Sequence, residues 1–340
     1  MKKAFISGIF GQDGAYLARL LVDKGYSVDG GSRRSSLDYN YRLRILGIED
    51  SVRIKNFDLT DPYNVFEIIS TGQYDEFYNL AAQSFVGASW DIPIQTSAVD
   101  AMGPLYVLDA IRRSSSHTRF YQASTSEMFG LIQEPRQSET TPFYPRSPYG
   151  VAKLFAHSMT VNYRESHNLH ASSGILFNHE SPLRGHEFVT KKITRQLAEI
   201  KLGYRQKLSL GNLDAKRDWG FAEEYVEGMW RMLQEPQSAD YVLATGITTT
   251  VRDFVNFAGN ALDIQIEWTG NGLNEIGVNK SNGNTIIEVD PKFYRPAEVD
   301  VLLGDPTKAR HKLGWETKTS VAELAAIMAK FDYDEIKQSH

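Results

Sequence analysis

The sequence predicts an α/β fold, with a doubly wound parallel sheet and a smaller, discontinuous C-terminal lobe. Short apolar segments that read as buried strands alternate with amphipathic helices over residues 1–177. The first strand is also separated from the first helix by glycines spaced three apart, at Gly8, Gly11 and Gly14. Strand, glycine loop, helix and strand in this order are typical of the opening unit of a Rossmann-type sheet.

The composition limits the kinds of protein that the chain can be. Its 340 residues are 41% hydrophobic and 23% charged, as in an ordinary globular protein. A formal net charge of −5 and a pI near 5.9 argue against a nucleic-acid partner. Because there is no cysteine, disulfides, thiolate catalysis and cysteine-ligated metals are excluded, and we expect no metal site. No signal peptide or long apolar run stands out, so we expect a cytoplasmic protein without a membrane partner.

The strands and helices of the first half can be placed in order. The predicted strands are residues 4–9, 27–31, 53–57, 77–82, 119–123 and 171–177. The helices that the periodicity indicates between them include residues 16–24, 104–113 and 149–167. In an open parallel sheet, ligands bind beyond the carboxyl ends of the strands, so the residues that follow each strand are the first candidates for a site.

The glycine loop of residues 8–14 predicts a phosphate-binding turn. Glycine lets the backbone turn tightly and approach a pyrophosphate, and the helix that follows presents its N-terminal amides to the anion. An inert glycine-rich turn is the alternative, but the position between the first strand and the first helix favours binding. We therefore predict a dinucleotide-binding domain over residues 1–177, with returning segments near residues 220–245.

The end of the second strand indicates which dinucleotide binds. An acid there suits the ribose hydroxyls of NAD, whereas arginine suits the 2′-phosphate of NADP. Here the strand runs into Arg33, Arg34 and Ser35, and the competing acid Asp29 falls before the strand end. The pattern favours NADP, and a solvated basic loop is the alternative.

Two further strand ends carry polar residues. Asp58 follows the third strand as a candidate partner for an adenine amino group, whereas Asp61 precedes Pro62 and fits the N-cap of the next helix. Ser124 to Glu127 follow the fifth strand, and their hydroxyls and carboxylate make a candidate site. The alternative there is a hydrogen-bonded turn with Glu127 in the first turn of a helix.

Tyr149 and Lys153 are the organising catalytic candidates. They lie four residues apart after Pro145 and Pro148, and a helix that begins near Tyr149 puts both side chains on one face. A lysine ammonium beside a phenol stabilises the phenolate, so we expect it to lower the tyrosine pKa and to let Tyr149 take a proton from a sugar hydroxyl. The pattern by itself also fits a surface pair on an ordinary helix.

The pattern changes after residue 177, where we predict a second lobe made of residues 178–219 and 246–340. Helices are predicted over residues 189–202, 221–235 and about 320–330, and residues 270–284 read as a mobile loop because they are rich in glycine and asparagine. Basic residues spread through the lobe form a pyrophosphate site if they converge in a cleft, and scattered surface charges are the alternative. These residues are Lys191, Lys192, Arg217 and Arg295.

Taken together, these motifs resemble the extended short-chain dehydrogenase/reductase superfamily and, within it, the GDP-mannose 4,6-dehydratases. The superfamily needs only the glycine loop and the Tyr149–Lys153 pair, so the longer motifs are what point to this family rather than to its epimerase or reductase relatives. They cover nearly the whole chain and comprise residues 8–14, 33–36, 78–84, 120–127, 142–150, 174–182, 210–219 and 294–300.

The resemblance implies a redox-neutral elimination on GDP-mannose, with NADP as the cofactor. It implies that Tyr149 takes the proton of the C4 hydroxyl while Thr125 shares that hydrogen bond. By the same resemblance, Lys153 lowers the pKa of Tyr149 and holds the nicotinamide ribose. Glu127 then removes the C5 proton, which the new C4 ketone has made acidic, and water leaves from C6. Return of the hydride to C6 gives a 4-keto-6-deoxy sugar nucleotide.

The resemblance also implies the binding residues and an oligomer. The second lobe is then the one that binds the sugar nucleotide, and a homodimer or homotetramer is expected, in which residues 33–41 of a tetramer meet a neighbouring subunit close to its cofactor. The implied NADP residues are Gly8, Gly11, Gln12, Asp13, Gly14, Arg33, Ser35, Asp58, Leu59, Leu80, Ala81, Ala82, Ser84, Tyr149, Lys153, His179 and Arg184. The implied GDP-mannose residues are Ser84, Asn178, Val189, Lys192, Asn212, Arg217, Arg295 and Glu298.

Four positions depart from the family pattern. Ser7 stands where the family has threonine and keeps the hydroxyl, whereas Phe10 replaces a small hydroxyl residue and brings a bulky ring to the glycine loop. Gly30 and Gly31 fall inside the second strand, where we expect them to loosen the segment that leads to the arginines.

Other functions stay open at this point. The same elimination on a GDP-manno-heptose needs only a roomier pocket around Ser84, Phe85 and Glu127. A 4-keto-sugar reductase or epimerase uses Tyr149 and Lys153 without needing Glu127. A non-catalytic NADP-sensing protein commonly lacks one of these three catalytic residues, and this chain has all of them.

Overall fold

The computed structural model describes residues 1–35, 39–293 and 302–339. Its helices are α1 (Gln12–Asp23), α2 (Tyr41–Ile45), α3 (Pro62–Gly72), α4 (Pro93–Ser97), α5 (Gly103–Ser114), α6 (Pro148–His167), α7 (Val189–Lys201), α8 (Ala222–Gln234), α9 (Val251–Ala261), α10 (Thr307–Leu313) and α11 (Val321–Ser339). Its strands are β1 (Lys3–Ser7), β2 (Ser27–Ser32), β3 (Val52–Asn56), β4 (Glu76–Asn79), β5 (Arg119–Thr125), β6 (Ala171–Leu176), β7 (Asn178–Glu180), β8 (Leu208–Leu210), β9 (Lys216–Arg217), β10 (Trp219–Phe221), β11 (Asp240–Leu243), β12 (Thr249–Thr250), β13 (Ile266–Thr269), β14 (Ile276–Asn279) and β15 (Thr285–Val289).

The predicted Rossmann-type sheet is confirmed. Seven strands lie in the order β11-β6-β5-β4-β1-β2-β3, and every neighbouring pair is parallel. The chain runs outward from β1 through β2 to β3, then returns to β4 on the other side of β1. This reversal between β1 and β4 is the switch point at which open α/β sheets bind their ligands, so it places the site at the carboxyl ends of β1, β4 and β5.

Both faces of the sheet are covered by apolar side chains. On one face, α1 packs against α8, and Leu17, Tyr225 and Trp315 belong to the same buried cluster. On the other, α3 packs against α5, and Phe77 and Phe120 lie in the buried cluster beneath them. The central strands of a parallel sheet that is covered on both sides favour apolar residues on both faces, which explains the short apolar runs in the sequence.

A separate apolar cluster holds elements that lie outside the seven-stranded sheet. It joins α7, α9 and α11 to β8 and β15, with Ile193, Phe254 and Met328 buried at its centre. The four-stranded sheet of this region has the order β13-β14-β15-β8. The domain boundaries given above stay a prediction, although this cluster is distinct from those that cover the seven-stranded sheet.

The predicted mobile loop over residues 270–284 is wrong. The segment contains β14, which pairs antiparallel with β13 and with β15, and β15 begins at Thr285. Gly270, Gly272 and Gly283 have positive φ, so the glycines serve the turns between strands. The glycine and asparagine content thus marked tight turns, and the apolar positions between them form the strand.

Gly30 and Gly31 do not loosen β2. The strand is paired over its whole length, with β1 on one side and β3 on the other. A Cβ on Gly30 would meet the Ile9 side chain at 2.5 Å, and one on Gly31 would meet the Phe5 ring at 2.7 Å. The two glycines therefore make room for neighbouring apolar side chains, and the expected weakening of the strand is wrong.

Two helix ends differ from the prediction in ways that matter for the site. Helix α1 begins at Gln12, four residues before the predicted start, because Gln12 and Asp13 form its first turn. Helix α11 continues to Ser339 instead of ending near residue 330, and its extra turns lie against α7. In the described part of the chain, no helix is long and apolar enough to cross a membrane.

Candidate active site

A cavity of about 670 Å³ opens at the carboxyl ends of the central strands. It extends from the glycine loop past the end of β5 to residues of the second lobe. Of the predicted site residues, those that line it are Gly8, Gly11, Gln12, Asp13, Gly14, Leu80, Ala82, Ser84, Thr125, Glu127, Tyr149, Lys153, Asn178, His179, Arg184, Val189, Lys192, Asn212 and Arg217. The chain therefore brings most of the predicted catalytic, cofactor and substrate residues to one cavity.

The glycine loop has no space for a side chain at Gly8 or Gly14. Gly8 has φ of +74°, and a Cβ there would lie 2.8 Å from the backbone nitrogen of Ala81. A Cβ on Gly14 would lie 2.3 Å from the carbonyl oxygen of Gly8. Gly11 is the N-cap of α1, so the first amides of the helix face the cavity end of the loop. This arrangement suits a pyrophosphate, which needs close backbone approach and helix N-terminal amides.

Polar contacts tie the first turn of α1 to the strand β7. Gln12 Nε2 donates to the backbone oxygen of His179 at 3.1 Å, and Ser181 Oγ donates to Gln12 Oε1 at 2.7 Å. His179 Nε2 lies 2.8 Å from the Asp13 carboxylate. The glycine loop and residues 178–184 are thus held as one unit, although they are more than 160 residues apart in the sequence.

The end of β5 presents Thr125 and Glu127 to the cavity. Thr125 Oγ1 accepts a hydrogen bond from the backbone N–H of Glu127 at 3.2 Å, which forms the turn that the sequence offered as an alternative. The turn and the site are compatible, because both side chains still line the cavity. A Cβ on Gly150 would lie only 2.7 Å from the backbone oxygen of Glu127. The absence of a side chain at Gly150 therefore lets α6 approach this turn closely.

Helix α6 positions Tyr149 and Lys153. Ser147 caps it by accepting from the backbone N–H of Gly150 at 3.0 Å, and Pro148 is its first residue. Tyr149 and Lys153 are both buried and both line the cavity. Lys153 Nζ donates to the backbone oxygen of Ala123 at 2.9 Å and lies 5.8 Å from the centre of the Tyr149 ring.

A buried chain of hydrogen bonds supports that lysine contact. Ser7 Oγ donates to Asn79 Oδ1 at 2.8 Å, and Asn79 Nδ2 donates to Gln122 Oε1 at 2.9 Å. Gln122 Nε2 in turn donates to the oxygen of Ala123, at 3.0 Å, which is the acceptor for Lys153. The chain crosses β1, β4 and β5, so it fixes the Lys153 acceptor relative to the glycine loop.

The electrostatics of Tyr149 differ from the sequence expectation. Burial raises the pKa of Tyr149 above its ordinary value, Asp100 and Glu127 add to the rise, and the hydrogen bond with Thr125 opposes it. The expected lowering of this pKa by Lys153 is therefore wrong for the protein alone. The physical reason is that loss of hydration acts on a buried phenolate more strongly than an ammonium 5.8 Å from the ring centre.

A second cavity, of about 430 Å³, lies beside the ends of β2 and β3. Arg33, Arg34, Ser35 and Lys55 line it, so it is strongly basic, as the sequence indicated. Phe10 lies on its wall and does not line the first cavity.

Acidic residues near these strand ends have other partners. The Asp29 carboxylate is bonded to Arg53 at 2.7 Å and to the Tyr74 hydroxyl at 2.8 Å. Asp58 accepts two hydrogen bonds from Thr60, and it lines neither cavity. Leu59 also lines neither cavity, and its side chain is buried in the cluster beneath α3 and α5. Asp61 caps α3, as predicted.

Lys191 and Lys192 have opposite environments. Lys191 is buried, and its Nζ lies 2.5 Å from Asp332 of α11, so the expectation that it joins a pyrophosphate site is wrong. Lys192 lines the cavity, and its Nζ lies 3.4 Å from the centre of the Phe293 ring. Burial lowers the pKa of Lys192 to about 8, and Lys292 adds to this shift. Arg295 and Glu298 lie outside the described residues.

A family model described as GDP-mannose 4,6 dehydratase matches residues 5–328. The chain belongs to the GDP-mannose 4,6-dehydratase family. The GDP-mannose 4,6-dehydratase of Sinorhizobium fredii (strain HH103) is 54% identical over 338 residues, which cover 97% of this chain and 96% of the relative. The resemblance seen in the motifs is thus confirmed, and members of the family are hydro-lyases by name.

Solved structures show the same fold as this dehydratase-family chain at low identity. The dTDP-glucose 4,6-dehydratase of Bacillus anthracis, in complex with NAD, has a TM-score of 0.81 and 16% identity, and the match covers 99% of this chain and 98% of that one. The Pseudomonas aeruginosa protein RMD, in complex with NADPH, has a TM-score of 0.76 and 18% identity, with 98% and 100% covered. At these identities, the likeness shows the fold alone.

The dehydratase-family chain has cavity residues that the sequence did not indicate. Phe293 and Lys292 line the lobe side of the cavity, directly before the motif of residues 294–300. Trp90 and Phe188 also line it, and Phe188 packs edge-on against Phe85. The described residues contain no group of three or more histidine, aspartate or glutamate side chains arranged to hold a metal ion.

Proposed function

We propose that this chain removes water from GDP-mannose to give GDP-4-dehydro-6-deoxymannose, with NADP as its cofactor. The observation that carries the proposal is the single cavity that joins the glycine loop to Thr125, Glu127, Tyr149 and Lys153, in a chain of this family. A reductase or epimerase has no need of an acid at the end of β5, so Glu127 supports the dehydratase over these alternatives.

The residues present fit a nicotinamide dinucleotide. The glycine loop lines the cavity, it packs so closely at Gly8 and Gly14 that a Cβ there would collide with backbone atoms, and the N-terminus of α1 follows it. Gly8, Gly11 and Gln12 would hold the pyrophosphate, and Lys153 would hold the nicotinamide ribose. When bound, the cofactor would supply the hydride chemistry that a redox-neutral elimination between C4 and C6 of the sugar requires.

The second cavity supports NADP over NAD. The guanidinium groups of Arg33 and Arg34 and the Lys55 ammonium would pair with a 2′-phosphate, and the Ser35 hydroxyl can donate to it. A ribose without the phosphate needs a carboxylate instead, and Asp29 is already committed to Arg53 and Tyr74.

Two proton transfers fall to residues of this chain. Tyr149 takes the proton of the C4 hydroxyl as C4 becomes a ketone, while Thr125 holds the same oxygen by a hydrogen bond. The ketone acidifies the neighbouring C5 proton, so that a carboxylate is a sufficient base. Glu127 takes this proton and gives one to the hydroxyl that leaves C6 as water.

The lobe side of the cavity supports a nucleoside diphosphate sugar as the substrate. Lys192 and Arg217 bring positive charge to the cavity and would pair with the diphosphate, while Asn212 and Val189 lie beside them. The Asn178 side-chain oxygen is buried, and no described group donates to it, so it can accept from a substrate hydroxyl or amine. We accordingly assign sugar-nucleotide binding to residues 178–219 and 246–340.

We also infer a homo-oligomer. Ile94, Val151 and Phe155 expose 86%, 56% and 39% of their surfaces. Val151 and Phe155 are four residues apart on α6, and α4 packs against this helix. Exposed apolar side chains grouped on neighbouring helices favour burial against another subunit. Sedimentation or light scattering tests this inference, and a monomer at micromolar concentration would contradict it.

The experiment that tests the proposed reaction is mass spectrometry of GDP-mannose incubated with the purified protein and a trace of NADP. We expect the substrate to lose one water with no net change in cofactor redox state. Net consumption of NADPH would indicate a reductase, and an unchanged mass with altered sugar stereochemistry would indicate an epimerase. Parallel incubation with GDP-manno-heptose measures sugar preference, and we expect GDP-mannose to react faster.

A further inference from the structure

A buried acid lies behind the catalytic residues and has no part in the proposed steps. Asp100 lies in a π-helical turn, Ala98–Met102, between α4 and α5, and it is 1% exposed. Its Oδ1 accepts a hydrogen bond from the backbone N–H of Gln83 at 2.7 Å. In the part of the chain that the structure describes, no group donates to the buried Oδ2. A buried carboxylate oxygen without a donor is costly, and π-turns are frequent at functional sites.

Lys153 is the buried cation on the neighbouring helix. The π-turn packs against α6, which carries Lys153, and Lys153 is 3% exposed. One of its three N–H donors is used by the oxygen of Ala123. A carbonyl oxygen satisfies a donor but does not neutralise a charge, so the ammonium needs a carboxylate nearby to stay ionised at this depth.

The charges around Lys153 single out Asp100. Burial lowers the pKa of Lys153. The negative charges of Asp100 and Asp13 oppose this lowering, and Asp100 has the larger effect of the two. Asp13 lies 2.8 Å from His179, which offsets much of its charge. Burial raises the pKa of Asp100 to about 6, and the positive charge of Lys153 keeps the pKa from rising further.

We propose that Asp100 is a positioning residue of the active site: its carboxylate is the counter-ion of the buried Lys153 ammonium and keeps that ammonium charged beside Tyr149. The charge matters because an ammonium stabilises the Tyr149 phenolate in the proposed reaction, so the catalytic meaning of this inference rests on the proposed function. The pairing of the Asp100 and Lys153 charges does not depend on the proposed function. Asp100 is thus placed to act on the reaction through Lys153, from behind the cavity wall.

The substitution Asp100→Asn isolates the charge. The amide keeps the size of the side chain and an oxygen that accepts from the Gln83 N–H, so the loop of residues 83–87 stays anchored. The probe is the ¹³Cε chemical shift of Lys153 against pH, in protein labelled with [ε-¹³C]lysine and without added ligand. The Lys153→Met variant assigns the Lys153 signal, because that signal is missing from its spectrum.

We expect the titration midpoint of Lys153 to fall by about one pH unit or more in Asp100→Asn, as for a buried ion that loses its counter-charge. Asp29→Asn is the matched control, since Asp29 is another buried acid, which pairs with Arg53, and it should leave the Lys153 midpoint unchanged. The same midpoint in Asp100→Asn as in the unsubstituted protein overturns the proposal.

A reciprocal measurement keeps the test sharp if Asp100→Asn folds poorly. The ¹³Cγ shift of Asp100 against pH is recorded in the unsubstituted protein and in Lys153→Met. Loss of the ammonium should move the Asp100 midpoint upward from about 6. An unmoved midpoint means that the two groups do not sense each other, and it overturns the counter-ion relationship.

The rate profile separates this inference from the proposed function. The Asp100 charge raises the pKa of both Lys153 and Tyr149. Its loss should therefore move both the rising and the falling part of the plot of kcat against pH to lower pH, while KM for GDP-mannose changes little. An unmoved plot with normal dehydration overturns the catalytic role of Asp100. A protein inactive on GDP-mannose whose Lys153 midpoint still falls would refute the proposed function and leave the counter-ion in place.

Discussion

Both ring nitrogens of His179 lie within hydrogen-bond distance of oxygen acceptors, and one of these is the Asp13 carboxylate at 2.8 Å. The other is the backbone oxygen of Phe177, at 2.7 Å from Nδ1, and only the protonated ring can donate to both acceptors. Tyr225 stacks on it, with ring centres 4.7 Å apart. This ion pair links β7 to the first turn of α1 and therefore holds the second half of the chain against the glycine loop.

The ion pair predicts how stability depends on pH. Burial alone would lower the pKa of His179, but Asp13 more than offsets it, so the pKa is raised; the pKa of Asp13 is lowered in return, against its own burial. The His179 contribution is complete below its ordinary pKa of 6.5 and is lost as the pH rises through the raised value. The Asp13 contribution is complete above its ordinary 3.8 and is lost as the pH falls through the lowered value. The Tm advantage over His179→Gln should therefore be largest between about pH 4 and 6.5.

His170 provides a control with the opposite sign. It is partly buried and bonded to the backbone oxygen of Glu235, and burial lowers its pKa. The unfolded chain thus takes up the proton more readily, and the Tm advantage over His170→Gln should grow as the pH rises through 6.5. Parallel curves for the two variants would contradict the assignment of His179 as a folded-state cation.

Glu127→Gln should separate the two halves of the proposed reaction. The amide cannot accept the C5 proton, so C4 oxidation should still proceed while loss of water falls by about 10²- to 10⁴-fold. Absorbance of NADPH together with mass spectrometry of the sugar nucleotide measures both in one sample. Tyr149→Phe is the comparison, and it should form neither NADPH nor the dehydrated product. Normal dehydration by Glu127→Gln would remove Glu127 as the base.

Helix α6 and the positions of Tyr149 and Lys153 on it could be predicted from residues that are close together in the sequence. Ser147 and Pro148 start the helix through contacts within three residues, and the spacing of Tyr149 and Lys153 then fixes their common face. The strand ends were predictable for the same reason, because a parallel sheet gathers them at one edge. The direction of the Tyr149 pKa was not predictable, since it depends on how completely the fold buries the phenol.

Residues whose partners are distant in sequence escaped prediction. Lys191 is an apparent surface cation next to Lys192, and only its contact with Asp332, 141 residues further on, reveals it as a buried ion. Asp100 looks like an ordinary helical acid until the fold places it behind Lys153. Phe293 precedes its motif by one residue, and its ring lies under the Lys192 ammonium only in the folded chain.

Breaking the Lys191–Asp332 pair should destabilise the folded protein. Both side chains are almost fully buried, and Asp332 also accepts from Thr194 at 2.6 Å. Asp332→Ala leaves the Lys191 charge buried without its partner, which costs about 3–5 kcal/mol of unfolding free energy. Urea denaturation measures this value.

A surface pair on the same two helices is the matched control for that substitution. Arg195 and Glu335 also join α7 to α11, at 2.9 Å, but their side chains are 34% and 41% exposed. Glu335→Gln should therefore cost less than about 1 kcal/mol. Lys191→Met combined with Asp332→Leu should recover most of the loss, because no unpaired ion remains. Equal costs for Asp332→Ala and Glu335→Gln would mean that the buried pair has no special role.

Arg33→Ala should change the cofactor preference of the protein. Arg33 lines the basic second cavity, and removing a charge-assisted hydrogen bond to a 2′-phosphate should weaken NADP binding by about 10- to 100-fold. NAD has no 2′-phosphate, so its affinity should stay the same, and isothermal titration with both dinucleotides gives the ratio. Arg53→Ala is the control, because Arg53 pairs with Asp29 on β2 and lines neither cavity. A preference that falls equally in both variants would move the phosphate site away from the end of β2.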